Sequence, residues 1–399
     1  MNTISNISGR ERLLRTFRNQ KVDRIPICPW VYNNLIYEFF KIPPEKQKWG
    51  HDYLAEKEIE VLDYFGFDHL IRLATPWHGC YLVEKSSGDS KWIVGVDNKT
   101  IDGKEVEITR IKTPEKTLRQ IRESIQISEY TKVSAIKEYF IKDKSDFNQF
   151  LKYQPSFEKA VYSEIEDEFM NLERAKKALG NKGMIVSYTS GAFNMLNLYR
   201  SYEDILTDPY SDTSFYKAMI EYFSIRFIKT FEKMIENGAD ILELGANLAT
   251  SMVGQKFFED FVLEYEKNVV EKVHKLGAFV IFHNCGDAGK IMHLYNDLNI
   301  DAWGYLTPPP HGDVDFDKAL STIDKDIVLI GNIDQVNFVP KATPEEIEEN
   351  VKGVLDKAKK RGNFILSTTD WFSDNTPYKN IKAISKAGRK YGRYDSKYI

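Results

Sequence analysis

Cysteine is scarce in this 399-residue chain, which has only Cys28, Cys80 and Cys285. So sparse and odd a set excludes a disulfide framework and fits a reducing compartment, so a cytoplasmic location is expected. A cationic surplus is also missing: the formal net charge is -4, which argues against a nucleic-acid binder. The local run Lys357, Lys359, Lys360 and Arg361 sits at a helix end, where cations complement the dipole, and reads as structural. No window is long and apolar enough to span a bilayer, and "MNTISNISGRERLLRTFRNQ" lacks the apolar core of a signal peptide. GxGxxG, a Walker loop, HExxH and GxSxG are all absent, so the common dinucleotide, nucleotide, zincin and serine-hydrolase signatures drop out. What remains is a soluble chain whose 42% hydrophobic and 13% aromatic content can bury a large core.

Short apolar runs alternate with amphipathic, charged stretches almost throughout. The runs span 24–30, 69–73, 184–189, 241–245, 279–285, 302–306, 327–333 and 364–370, giving eight candidate strands. Helical stretches at 254–277 and 343–362 lie between the later ones. The second has Thr343 as N-cap, Pro344 at the first helical position, Glu346 completing a capping box and Gly362 beyond its end. Repeated βα units of this kind predict an α/β fold, a (β/α)₈ TIM barrel forming one domain over 1–399. An insertion at about 79–180 falls between strands two and three. Its first part, 79–112, reads as a β-hairpin with turn signals at Gly88-Asp89, Asp97-Asn98 and Asp102-Gly103; its second, 114–180, reads as largely helical.

Chemistry concentrates at the ends of the strands. "VIFHNCGDAG" (280–289) runs from a buried strand into His283 and Cys285, two positions apart and so on one side of a pleat. Imidazole and thiolate are preferred zinc ligands, although either residue near a core is commonly just buried and hydrogen-bonded. In a barrel the active site lies at the C-terminal ends of the strands, which is where this pair falls. Glu243 lies between Leu242 and Leu244, sharing a face with Ile241 and Gly245; Asp370 closes the eighth strand, and Asn332 and Asp334 close the seventh. A carboxylate inside a barrel must be paired or metal-bound. For Glu243 and Asp370, pairing with a buried arginine or capping a turn stands equally beside a direct role. Cys28 and Cys80 lie outside any metal-like spacing and read as core.

The segments "RERLLRTFRNQKVDRIPICPW" (10–30), "HNCG" (283–286), "PPPHGDVD" (308–315), "GNIDQ" (331–335) and "FILSTTDWFSDNTPYKNIKAISKAGRKYGRY" (364–394) resemble the uroporphyrinogen decarboxylase superfamily, in its corrinoid-dependent methyltransferase branch. The resemblance implies a (β/α)₈ barrel and a zinc site at His-x-Cys-Gly. The decarboxylases' arginine-rich segment after the first strand is replaced by "CPWVYNNLIYEFF", which has no arginine. Where branch members that methylate coenzyme M carry a second cysteine, this chain has Asp370. The third ligand is therefore expected to be Glu243, with Asp370 a further ligand or, like Tyr188, the proton source. A carboxylate in place of thiolate keeps zinc harder and better able to polarise oxygen, which favours an O-methyl donor. The rim aromatics Trp30, Tyr32, Trp77, Tyr188, Tyr305, Trp371 and Phe372 suit a methoxylated aromatic ring. No Asp-x-His-x-x-Gly corrinoid motif is present, so the resemblance implies a corrinoid carried by a separate partner protein. A decarboxylase of a small acid, a methylcobalamin:thiol methyltransferase and a barrel that only binds are the other readings.

Overall fold

The computed structural model describes residues 7–47, 55–74, 91–156 and 172–394. Seven parallel strands form one sheet in the order β1 (His69–Ala74), β6 (Gly183–Ser190), β7 (Ile241–Gly245), β8 (Phe279–His283), β9 (Ala302–Leu306), β10 (Val328–Ile333) and β11 (Phe364–Thr368). Four antiparallel strands form a second sheet: β2 (Ile93–Ile101), β3 (Lys104–Lys112), β4 (Thr117–Gln126) and β5 (Lys132–Glu138). No described helix is long and apolar enough to cross a membrane.

The first expected strand, 24–30, is reduced to two isolated bridges, Arg24 with Arg393 and Ile27 with Leu366. Pro26 and Pro29 have no N–H to give to a ladder, which confines the pairing with β11 to the few bonds around Ile27. The Cys28 N–H donates to Leu366 O at 2.8 Å, while Ile27 O accepts from the Asp68 N–H at 2.8 Å. This short segment therefore touches β11 on one side and the start of β1 on the other. The parallel sheet curls until its two edges meet the same three residues, Pro26 O accepting the Leu366 N–H beside the bonds of Ile27 and Cys28. Asp68 fixes the junction, accepting from both Arg24 nitrogens, from Arg12 and from the Ile27 N–H.

Alternating side chains divide the core. Leu70, Val186, Ile241, Ile281, Val328 and Ile365 fill the inside of the curled sheet. Leu242, Leu244, Val280, Phe282, Leu329 and Leu366 face the helices. Strands buried on both faces read as continuous apolar runs, which is why the sequence marks them well.

The insertion differs from its expected form. The Asp102-Gly103 turn is real, with φ of 50° and 75°, but Asp97 and Asn98 sit inside β2 and pair with β3. Gly88-Asp89 lies outside the described residues. The hairpin is half of a four-stranded sheet, because residues 117–126 and 132–138 are strands and not helix. Helix in the second part is confirmed at Lys144–Tyr153. The expected helix 254–277 is broken at Val262 into Gln255–Phe261 and Leu263–Lys275.

Glu58, on the helix Ala55–Phe65 behind β1, is buried. Burial lifts its carboxyl to about 8, with Arg72 pulling the other way. In the unfolded chain the same group loses its proton near 4.5. The folded state therefore binds the extra proton between those values, and stability should fall as pH rises through that window. Glu58→Gln is expected to flatten this part of a urea-midpoint-versus-pH profile; an unchanged slope would refute the assignment.

Candidate active site

His283 is the last residue of β8 and is 1% exposed. Its Nδ1 lies 2.7 Å from Glu243 Oε1. The other oxygen of Glu243 accepts from Arg72 Nε at 3.0 Å and from the Tyr305 hydroxyl at 3.2 Å. Arg72 also donates to the Tyr305 hydroxyl and lies against the Trp30 ring, 4.8 Å from its centroid. Adjacent strands bring this set together: Ala74 pairs with Tyr188, Tyr188 with Glu243, and Glu243 with Ile281 two positions before His283. The inward-facing positions of β1, β7, β8 and β9 thus meet in one network.

Its electrostatics follow from burial and pairing. Burial pushes the Glu243 carboxyl up, but Arg72 and His283 outweigh it and leave the pKa below its ordinary value. For His283 burial opposes the charge, yet Cys285 and Glu243 together raise it to about 10. Burial, only partly offset by His283, raises Asp370. Burial also carries the Tyr188 hydroxyl far above the phenol range, with Glu243 and Asp370 adding to the effect. That hydroxyl stays protonated.

Cys285 lies two residues beyond β8, on the polar turn, and is half-buried. Its Sγ is 3.8 Å from Asp370 Oδ2 and 3.6 Å from Asn247 Oδ1, which also accepts the Cys285 N–H at 3.4 Å. Cys285 and Asp370 therefore meet across the mouth. His283 Nε2 is buried and makes no hydrogen bond. Among the described residues no three of His, Cys, Asp and Glu already stand at metal-binding spacing. The donor chemistry nevertheless fits zinc: an imidazole nitrogen without a partner, a thiol, and a carboxylate beside that thiol. Glu243 fits a different place. With both oxygens engaged, it stands behind His283, in the carboxylate–histidine arrangement that orients a ligand ring.

The aromatic residues divide. Trp30 stacks on Tyr305 with centroids 5.5 Å apart, Tyr32 stacks on Trp371 at 4.7 Å, and Trp30 stands perpendicular to both Tyr32 and Trp371. Tyr188 is 5.9 Å from the His283 ring. Phe372, expected at the rim, is fully buried in the helix-facing core instead. Trp77 and Cys80 lie outside the described residues; Cys28 is core. Asp334 spends its carboxylate on the Val336 and Asn337 N–H groups, and Asn332 Oδ1 is buried without a partner. Sequence reasoning missed Arg72 and Asn247. The signal for Arg72 was present: in "HLIRL" it shares the inward face with Leu70, just as Glu243 shares one with Ile241.

A curled, seven-stranded parallel sheet with its polar network at the C-terminal ends of the strands is an α/β fold of the TIM-barrel type. The family model described as uroporphyrinogen decarboxylase (URO-D) matches residues 124–391, and the chain belongs to this family. Over 176 residues it is 27% identical to the methylcobamide:CoM methyltransferase MtbA of Methanosarcina acetivorans, covering 44% of this chain and 49% of that protein. Over 193 residues it is 24% identical to the methylated-thiol–coenzyme M methyltransferase of Methanosarcina mazei, covering 47% and 48%. The chain spans about half the length of the curated relatives it matches. A solved methyltransferase from Methanosarcina mazei shares the fold over nearly the whole length, with a TM-score of 0.71, 15% identity, and coverage of 97% and 99%.

Proposed function

We propose that this protein is a zinc-dependent methyltransferase that moves a methyl group from an O-methyl donor to the reduced corrinoid of a partner protein. The observation that carries the reading is His283 Nε2, buried and unpartnered beside Cys285 while Nδ1 is fixed by Glu243. His283, Cys285 and Asp370 would hold the metal, with Glu243 as the supporting carboxylate. This takes Glu243 out of the ligand set expected from the sequence and keeps Asp370, expected as a further ligand or proton source, as a ligand. Bound zinc supplies a Lewis acid that stabilises the atom from which the methyl departs. URO-D membership and the named activities of the relatives support methyl transfer.

The chain's own groups divide the remaining work. Glu243 holds the His283 proton on Nδ1, so that a metal displacing the other proton of the imidazolium would meet the lone pair of Nε2. Arg72 balances the Glu243 charge where water does not reach. Tyr188, kept protonated by burial, acts as a hydrogen-bond donor to the departing oxygen and not as its proton source. The half-buried Tyr32–Trp371 pair offers a flat wall for an aromatic ring, which supports a methoxylated aromatic donor.

The test supplies reduced corrinoid protein and a methoxylated aromatic compound. The corrinoid absorbance should change from the reduced to the methylated form, with release of the free phenol and no requirement for coenzyme M. If the methyl group moved only from methylated corrinoid to a thiol, the O-methyl assignment would fail and thiol methylation would replace it. No transfer in either direction would refute the methyltransferase reading.

A further inference from the structure

Behind the mouth, one fully buried carboxylate has no part in the roles above. Glu266 belongs to the helix Leu263–Lys275 and is 0% exposed. Its two oxygens accept the N–H groups of Ala192 and Phe193, each at 3.0 Å. Those donors open the short helix Ala192–Leu196, directly after β6 and Gly191. Gly191 makes room for the contact, since a Cβ there would come within 2.6 Å of the carboxylate. Its own N–H reaches Gly245 O at the end of β7, at 2.7 Å.

The connection continues toward the thiol. Asn194 Oδ1, in the helix that Glu266 anchors, accepts the Leu248 N–H at 3.1 Å. The preceding residue, Asn247, holds the Cys285 N–H and lies beside its Sγ. Hydrogen bonds at Gly191–Gly245 and Asn194–Leu248 join the helix start to the loop after β7, and bonds at Asn247–Cys285 and Ser251–Asp287 join that loop to the turn carrying the thiol. Of these contacts, the one from Asn194 through Leu248 to Asn247 reaches the thiol itself, since Asn247 Oδ1 meets both the Cys285 N–H and its Sγ.

We propose that Glu266 is a positioning residue for Cys285, acting through Asn194 and Asn247; this rests on Cys285 being the working thiol of the proposed function. Neither Glu266 nor Asn194 touches the metal-binding set. A purely structural Glu266 would change stability and leave the thiol's behaviour as it is. A positioning Glu266 changes both.

The experiment uses the full chain at pH 8 after chelator treatment, so its readout is independent of zinc. Glu266→Gln keeps the side-chain volume but replaces one acceptor by an NH₂ donor, so one of the two helix N–H groups loses its partner. Hydrogen exchange at Ala192, Phe193 and Leu248 should accelerate. Alkylation of Cys285 by iodoacetamide, resolved by peptide mass spectrometry, should be about fivefold faster, the population shift expected from one lost hydrogen bond. Val351→Ala, in the buried face of the distant helix Pro344–Arg361, is the control. It should lower thermal stability and leave the Cys285 rate unchanged. A wild-type alkylation rate in Glu266→Gln, or an equal acceleration in Val351→Ala, would overturn the proposal. Should Glu266→Gln fail to fold, Asn194→Ala breaks only the downstream link and must give the same acceleration; an unchanged rate there overturns the proposal as well. Failure of zinc binding would leave these outcomes intact, so the two readings are separable.

Discussion

Arg72→Met is expected to destabilise the protein by about 3–5 kcal/mol, the cost of leaving one charge of a buried pair without its partner. Arg72 and Glu243 are 2% and 0% exposed, so water does not take over when the guanidinium is removed. Glu243 would keep His283 and the Tyr305 hydroxyl, but neither is a fixed cation. The Glu243 pKa should then rise, and its hold on the His283 ring should weaken. Packing adds a smaller loss, because Arg72 also lies over the Trp30 and Tyr305 rings. The double variant Arg72→Met/Glu243→Leu separates these effects. With both charges gone it should recover most of the stability, since buried pairs are often replaceable by apolar residues of similar size. It should nevertheless lose zinc affinity, since nothing would orient His283. Urea denaturation gives the first quantity and zinc titration the second. A loss below about 1 kcal/mol in the single variant would mean that solvent reaches the pair, and the role assigned to Arg72 would fall.

The same pair shows how far the sequence could be read. The parallel strands from β6 to β11 were expected within two residues of their observed start, because doubly buried strands are continuous apolar runs between amphipathic helices. The first strand was over-read: Ile25, Ile27 and Cys28 have the right composition, but two prolines leave too few N–H groups for a ladder. In the insertion, "TLRQIRESIQ" carries charged residues on both faces of β4, and this partial exposure hides the period of two. Glu243, His283, Cys285 and Asp370 stood out as candidates because polar groups at the ends of core strands need a reason, and the fold brings them together. Arg72 lies inside an apolar run, two positions before the strand's end, and only its inward face shared with Leu70 marks it. The division of labour between Glu243 and Asp370 was beyond the sequence. The proposed division rests on which carboxylate meets the Nδ1 side of the imidazole and which lies by the thiol, contacts that arise only when the sheet curls.

That division gives the second large effect. The wild-type protein should bind about one zinc per chain, and Cys285→Ser should lower its affinity at least about a hundredfold. Structural zinc sites bind with about 10–16 kcal/mol, and removing one of three protein ligands, the softest, takes away several of these. Asp370→Asn should cost more affinity than Glu243→Gln, because Asp370 Oδ2 lies 3.8 Å from the thiol while both Glu243 oxygens are already engaged. Glu243→Gln acts from behind the ligand: its amide cannot serve His283 and Arg72 as the carboxylate does, and the expected loss is about 10- to 100-fold. The two variants also differ in a second way. Glu243→Gln leaves Arg72 without its anion and should lower stability in the absence of metal, whereas Asp370→Asn, at the half-buried mouth, should leave metal-free stability nearly unchanged. Competition against a chromophoric chelator reads the affinities, and urea unfolding of the metal-free proteins reads the rest. If Glu243→Gln lost more zinc than Asp370→Asn, with no change in metal-free stability, Glu243 would be the ligand and the supporting role would pass to Asp370. If the wild type bound no zinc from chelator-free buffer, the metal reading would fail altogether, and His283 with Cys285 would have to act as a paired acid and thiol.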